Sequence, residues 1–428
     1  MRTKLMLGAL ALAAAAPALA NASPKPSATT SLASPDLARA GEALRIDHER
    51  FVGEVIALAE IPSPPFGEGA RAAAYAEMMR LSGLTDVRLD GIGNVIGVRR
   101  GRDRSKPPLV IGAHLDTVFP EGTDVRVRRE GTRLFAPGIG DDARGLATLL
   151  AFARAMEAAR ILPDRDIMFV GTVGEEGAGN LRGVRFLFEN DPRARTAAGF
   201  IAVDLNGSDR IVTRHVGSRR YRIIFTGPGG HSFDKFGIVN PAVPLAKTIA
   251  GLYAIPVPDT PRTTYSASMI GGGTSINAIP ARVHVDIDIR SLAPAEIERI
   301  DSELRRIAEA ATAAENGARS TEFGRVTVTY ESIGDRPAAT VSETSGLGAI
   351  AFTASRAEGF APLFTAVSTD ANLPASLGIP AIAIGTGGQG GGEHSPEEYI
   401  DVEIEESLRG LRAGLATILA AASAQSAL

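Results

Sequence analysis

Three short, unbroken apolar runs, each ending in acids or a histidine, constrain the fold of this chain more than any other feature. They are PLVIGAHLDTV at 108–118, DIMFVGTVGEE at 166–176 and GFIAVD at 199–204. A strand with one solvated face alternates apolar and polar residues, whereas a strand covered on both faces reads as continuously apolar. Helical stretches separate the runs. Strands alternating with helices give a mostly parallel sheet whose ligands sit beyond the strands' carboxyl ends. The polar residues collected there are His114 and Asp116, Glu175 and Glu176, and Asp204.

The flanking sequence extends this pattern. Residues 48–61 carry an apolar stripe at helical spacing, 75–81 suggest a second helix and 87–98 a pair of strands. After about residue 211 the texture changes to a strand at 221–225, a helix at 243–252 and strands at 264–270 and 282–289. A long helix at 296–314 and a strand at 325–330 follow. That order is ferredoxin-like. A helix at 347–356, a buried strand at 380–384 and a helix at 402–421 then return to the first style. The reading is an α/β domain split into 41–211 and 333–428, with an α+β domain of residues 212–332 inserted, which suits a chain of 428 residues.

The N-terminus has a separate logic. Arg2 and Lys4 precede an apolar run at 5–16, and Pro17-Ala18-Leu19-Ala20 supplies the small residues a signal peptidase needs. This predicts a secretory signal over 1–20, cut after Ala20 or Ala22, and hence a periplasmic or secreted protein. The run is short for an uncleaved anchor. Residues 21–40, rich in Ser, Pro, Ala and Thr at their start, read as a disordered linker. A net charge of −4 with no long charge run gives no electrostatic case for nucleic acid or an anionic membrane. The chain has no cysteine, so any metal site must be built from His, Asp and Glu.

At 136–145 the chain reads APGIGDDARG, two adjacent carboxylates on a Pro/Gly-rich turn directly before an apolar-periodic run. Asp142 is placed to cap the helix that follows, which frees Asp141 to point elsewhere. His114 and Asp116 leave one face of their strand end, an arrangement in which a carboxylate can fix the far nitrogen of a ligating imidazole. Glu175 and Glu176 lie on a sharp turn and diverge. His394 follows the glycine run 385–392, which lacks the Lys-Ser/Thr of a phosphate loop. Each motif alone also fits a bland reading: a capped turn, a polar strand end, a solvated acidic loop. Together, nitrogen and oxygen ligands without sulfur fit a two-metal hydrolytic site. Val283, Val285, Ile287 and Ile289 alternate with His284, Asp286, Asp288 and Arg290, so Arg290 lies on the polar face of its strand.

HLDTV, PGIGDD, GEEG, GPGGHS, the Asn-Ala-Ile-Pro segment at 277–280 and the last histidine follow one another from about residue 45 to the end. In this the chain resembles the co-catalytic zinc peptidase family of carboxypeptidase G, tripeptidase T, aminoacylase and succinyl-diaminopimelate desuccinylase, nearest the tripeptidase-like branch. The resemblance implies a zinc-exopeptidase-like α/β/α catalytic domain whose ferredoxin-like insert serves as lid and dimerisation domain. It implies two divalent metal ions, Zn2+ by default, with Co2+ or Mn2+ suited to the same ligands. Asp141 would bridge them, His114 and Asp204 would complete one site, and Glu176 and His394 the other. Glu175 would be the general base for the attacking water and Asp116 would orient His114. The peptide bond between Asp141 and Asp142 would be cis. His231 would polarise the scissile carbonyl, in some relatives from across a dimer interface. Asn277 and Arg290 would hold the substrate's carboxylate or carbonyl. Residues 368–372 (STDAN) resemble a substrate-side loop without an assigned role, and His48 and His215 match no motif and read as structural. Many relatives carry Asp-Asp-Lys-Gly where this chain has Asp142-Ala143-Arg144-Gly145, which removes a lysine but no ligand.

The activity that follows is exopeptidase cleavage of short peptides, with N-acyl amino acid deacylation as the alternative on the same site. A binding protein that kept the fold would have lost Glu175 or a ligand, and none is lost. A serine hydrolase of the nucleophile-elbow type is excluded by the lack of a G-x-S-x-G motif.

Overall fold

The computed structural model describes residues 35–424. The signal segment and most of the linker expected from the sequence lie outside the described residues. The last part of that linker is a correction: 35–40 open the helix Pro35–Ile46. Ala40 and Leu44 bury one face of it in the core, and the Arg45 guanidinium forks onto Glu405 at 2.6 and 3.0 Å.

The large sheet has nine strands. Its centre is Ile167–Thr172, Leu109–His114, Gly199–Leu205 and Ala381–Gly385, neighbours in that order and mutually parallel. Antiparallel strands Val95–Arg99 and Thr85–Leu89 extend one side, and Arg210–His215 the other. The apolar runs are covered on both faces, as their composition requires. Ile111, Phe169 and Ile201 face the core shared with helices His48–Ala59, Arg144–Ala158 and Ile404–Ser423. Val110, Met168 and Phe200 face the core under Arg182–Asn190. The helix Arg144–Ala158 packs so closely that a Cβ on Gly145 would meet the Val203 carbonyl oxygen at 2.2 Å. Only glycine fits there.

The inserted domain is a four-stranded antiparallel sheet in the order Thr263–Gly272, Arg282–Ser291, Gly217–Thr226, Thr327–Arg336. Helices Ala242–Leu252 and Pro294–Ala318 cover one face, where Ile223, Phe225, Val285, Ile287 and Ile289 form a separate core. Its limits differ from the sequence reading by a few residues. Arg210–His215 belongs to the large sheet, and the last lid strand runs on to Arg336. The side-chain amide of Asn372 donates to the carbonyls of Val216 and Pro337 at 2.8 and 2.9 Å, pinning both chain crossings between the domains. Among the described residues no helix is long and apolar enough to cross a membrane.

Candidate metal centre

The carboxyl ends of the four parallel strands, with the turn before Arg144–Ala158, bring five side chains from distant parts of the chain together. Asp141 joins them. Its Oδ1 lies 2.7 Å from His114 Nε2, and its Oδ2 lies 3.1 Å from His394 Nε2. His114 Nε2 is also 3.6 Å from Asp204 Oδ1, and His394 Nε2 is 2.9 Å from Glu176 Oε1. One carboxylate thus stands between two nitrogen–oxygen groups. The three sets of side chains among the described residues that are disposed to hold a metal are drawn from this cluster and its neighbours Asp142 and Glu175. The donors fit such an ion: a tetrahedral nitrogen and oxygen shell at about 2.1 Å separates neighbouring ligand atoms by roughly 3.4 Å. The peptide bond between Asp141 and Asp142 is cis.

The backbone of each ligand is fixed by a buried polar group. Asp142 does cap the following helix, accepting from Gly145 N at 3.1 Å, and its other oxygen accepts from His114 N at 3.0 Å. Asp116 faces His114 and has a second task besides. His114 Nδ1 pairs with the main-chain oxygen of Asp116 at 2.9 Å, while the Asp116 carboxylate lies 3.6 Å from it. That carboxylate also accepts from the backbone N–H groups of Glu175 and Glu176, both at 2.9 Å. Alternating strand geometry put His114 and Asp116 on one side, but the chain leaves the strand at His114, and the carbonyl takes the contact.

Two further residues carry the loops, neither of them a site residue in the sequence reading. Glu398, fully buried, accepts from Gly138 N at 3.0 Å, Gly140 N at 2.7 Å and Asp141 N at 2.9 Å. It sits four residues after His394 in EHSPEEY, where it reads as one more surface acid. Arg144, buried at the foot of its helix, donates to Gln389 O at 2.9 Å, to Gly387 O, and more weakly to Asp401 O and Ser407 Oγ. The glycine run is wrapped around this guanidinium, and a Cβ on Gly388 would collide with it. The departure from the Lys-containing pattern therefore coincides with a cation that shapes the approach to His394.

Glu175 is 5% exposed and is held from the lid side. Arg336, at the end of the last lid strand, donates to Glu175 Oε1 at 2.9 Å, to its main-chain oxygen, and to Ser368 Oγ at 3.2 Å. Burial pushes the Glu175 carboxyl well above its ordinary range, with Arg336 pulling it down and Glu176 adding to the rise. Asp204 is pushed up to about 7, chiefly by burial and also by the charge of Asp141. Asp141 goes the opposite way: burial opposes ionisation, but hydrogen bonds from both histidines outweigh it. His394 rises to about 11 because it donates to Asp141 and Glu176, against the cost of burial. In this acid-rich cluster the imidazoles supply the positive charge that the carboxylates demand.

A cavity of about 550 Å³ opens onto these groups, lined by Asp141, Glu175, Glu176, Asp204 and His394 on one side and by Arg220, Arg290 and Arg336 on the other. Of the lid residues named from the sequence, Arg290 lines this cavity. His231 and Asn277 do not line this cavity; both are exposed on the lid, where Gly230–His231 pairs with Ala278–Ile279. His215 is a buried structural residue, with Nε2 3.0 Å from Ala381 O.

A three-layered α/β/α domain with an inserted lid and two histidines sharing one carboxylate is the layout of a metal-dependent hydrolase. The chain belongs to Peptidase family M20/M25/M40, whose model matches residues 110–421. It is 27% identical over 249 residues to a probable carboxypeptidase of Aspergillus clavatus, covering 52% of this chain and 54% of that protein. It is 30% identical over 142 residues to an N-carbamoyl-L-amino-acid amidohydrolase of Paenarthrobacter aurescens, covering 32% of this chain and 30% of that one. The chain thus spans about half the length, or less, of these curated relatives. Its fold matches that of aminopeptidase PepT from Bacillus cereus with a TM-score of 0.69 at 23% identity, over 88% of this chain and 99% of the other.

Proposed function

We propose that this chain is an exported exopeptidase that removes terminal residues from short peptides with two divalent ions, Zn2+ by default. The observation that carries the reading is Asp141, whose two oxygens face different histidines. His114 and Asp204 would hold one ion, Glu176 and His394 the other, with Asp141 shared. Bound ions would supply Lewis acidity and a nucleophilic water near neutral pH. The remaining steps fall to this chain's own residues. Glu175 takes the proton of the attacking water and passes it to the leaving amine, a task suited to a carboxyl whose hold on a proton is strengthened by burial. Arg336 holds Oε1 of Glu175 and leaves the other oxygen without a partner among the described residues. Asp116 fixes the turn that carries Glu175, and Arg290 anchors a substrate carboxylate. His231 and Asn277, remote from their own cavity, would serve the cavity of a second copy in a homodimer.

Glu175→Ala is the direct test. It should keep its metal content, measured by elemental analysis, and lose several orders of magnitude in turnover; near-normal turnover would refute the mechanism. Mass-spectrometric digests of mixed dipeptides and tripeptides, with a chelated control, would show the direction of attack. The similarity to an N-carbamoyl amino acid amidohydrolase supports a second reading, deacylation of N-acyl amino acids on the same site. Cleavage of acyl substrates alone would select it. Export rests on the first twenty residues, and finding the protein with its N-terminus intact in the cytoplasm would overturn it.

A further inference from the structure

The helix-free face of the lid sheet forms one wall of the cavity, and it is built from paired charges. Asp288 stands opposite Arg220 across two strands, and Arg290 follows two residues along the same face. Both guanidiniums touch Asp288 through Nε alone, Arg220 at 3.3 Å and Arg290 at 2.8 Å. Their terminal nitrogens have no partner among the described residues. Arg210, at the start of the strand Arg210–His215, lines the same cavity from the catalytic domain and makes no ion pair among the described residues. Three guanidiniums therefore face Asp288 on their own wall and Glu393 across the cavity, which leaves positive charge in excess. Arg336 does not add to this surplus, since Glu175 neutralises it. Asp141, Glu176 and Asp204 on the opposite wall do not relieve it either, because the ions of the function proposed above, on which this inference rests, would engage them. Glu393 there is exposed and accepts from Asn206 at 2.8 Å.

A lone arginine on a wet sheet is ordinarily a solvated charge. Arg220 is only 18% exposed at its side chain, and burial together with the like charges of Arg336 and Arg290 works against its guanidinium. Holding such a group in a concave wall costs stability unless an anion enters. A planar fork with both ends free matches a carboxylate in two-point contact.

We infer that the preferred substrates carry two carboxylates, a terminal one on Arg290 and a second, from an acidic side chain, on Arg220 and Arg210. Matched dipeptides differing only by Asp against Asn test this: Asp-Ala with Asn-Ala, and Ala-Asp with Ala-Asn, on the Zn-loaded enzyme. At one position kcat/KM should favour Asp by about tenfold or more, mostly through KM, and the preference should weaken with salt. Arg220→Gln and, separately, Arg210→Gln should shrink the Asp/Asn ratio toward unity. A readout independent of turnover is calorimetric binding of succinate against its monoamide, with succinate favoured about tenfold in the parent and not in Arg220→Gln. An Asp/Asn ratio within twofold at both positions overturns the inference and leaves the exopeptidase reading intact. Failure to cleave any peptide, with the succinate preference retained, overturns the exopeptidase reading while the dicarboxylate site stands. Failure to cleave with no succinate preference overturns both.

Discussion

Glu398→Gln isolates how much of the metal centre depends on a residue that touches no ligand side chain. The carboxylate takes two N–H groups on Oε1, from Gly140 and Asp141, and one on Oε2, from Gly138. Glutamine keeps the shape and one oxygen, but its amide N–H2 must then face one of the loop's own donors. A charge-assisted hydrogen bond contributes about 1.5–3 kcal/mol, and an unsatisfied buried donor costs about 1–3 kcal/mol. Against this, burial and the charge of Asp141 push the Glu398 carboxyl up to about 7, so its ionised form carries a penalty that glutamine escapes. At pH 8 the two effects leave a net stability loss of about 1–3 kcal/mol. The larger consequence is for Asp141, whose backbone N–H is one of the three donors. Losing a group that orients a ligand typically costs about 10–100-fold in metal affinity. The assay is calorimetric titration of ion-free protein with Zn2+ at pH 8, together with thermal unfolding of the same sample. Affinity within twofold of the parent and an unchanged Tm would refute the claim that Glu398 sets the position of Asp141.

Other perturbations follow from the same contacts. Arg144→Met removes the cation inside the glycine loop and strands several backbone carbonyls, so urea unfolding should show a loss of about 3 kcal/mol or more; a loss under about 1 kcal/mol would mean the loop holds itself. Burial lowers the His215 imidazole to about 4, below its unfolded value, so its contribution is full above about pH 6.5 and disappears as pH falls toward 4. The parent should therefore lose roughly 3 kcal/mol more than His215→Gln between pH 7 and 4, and parallel stability curves would contradict this. Glu175 and Asp204 are raised, so chelated protein should lose stability as pH rises from 5 to 8, because the unfolded chain releases protons the folded one retains. Added Zn2+ should flatten that slope, and a slope indifferent to metal would count against a shared site.

The architecture was legible because its signals are strong and local. Continuous apolar runs mark strands covered on both faces, and the chemistry collects where those strands end. The weaker elements escaped: Arg210–His215 has charged residues at 210 and 214 and was cut by the domain boundary drawn after 211, and Leu363–Val367 and Ala339–Thr340 are short edge pieces. The ligand set was visible as motifs, but the residues that hold it were not. Arg336 and Glu398 act across 161 and 257 or more residues of sequence, and no local period reports such a contact. Asp116 illustrates the finer limit. Its spacing from His114 was read correctly, yet which of its oxygens meets the imidazole depends on a chain turn that the spacing does not encode.

These supporting contacts share one physical logic. Each acid of the centre carries a cost of burial, and the protein meets it by turning backbone N–H groups inward on rigid turns. Asp116 gathers two of them, Glu398 three, and Asp142 two. The effect is to fix the main chain beside Glu175, Glu176, Asp141 and His114 while leaving the ligand oxygens and nitrogens for each other. Arg336 is the exception, since it grips the side chain of Glu175 and comes from the lid. A lid that swings about the crossings pinned by Asn372 would carry Arg336 with it, and the grip on the base would change with lid position. Arg336→Lys, which keeps the charge but loses the two-point hold on side chain and carbonyl, separates the two contributions. It should lower kcat about tenfold or more with little change in metal content. Parent-like kcat would show that charge alone suffices.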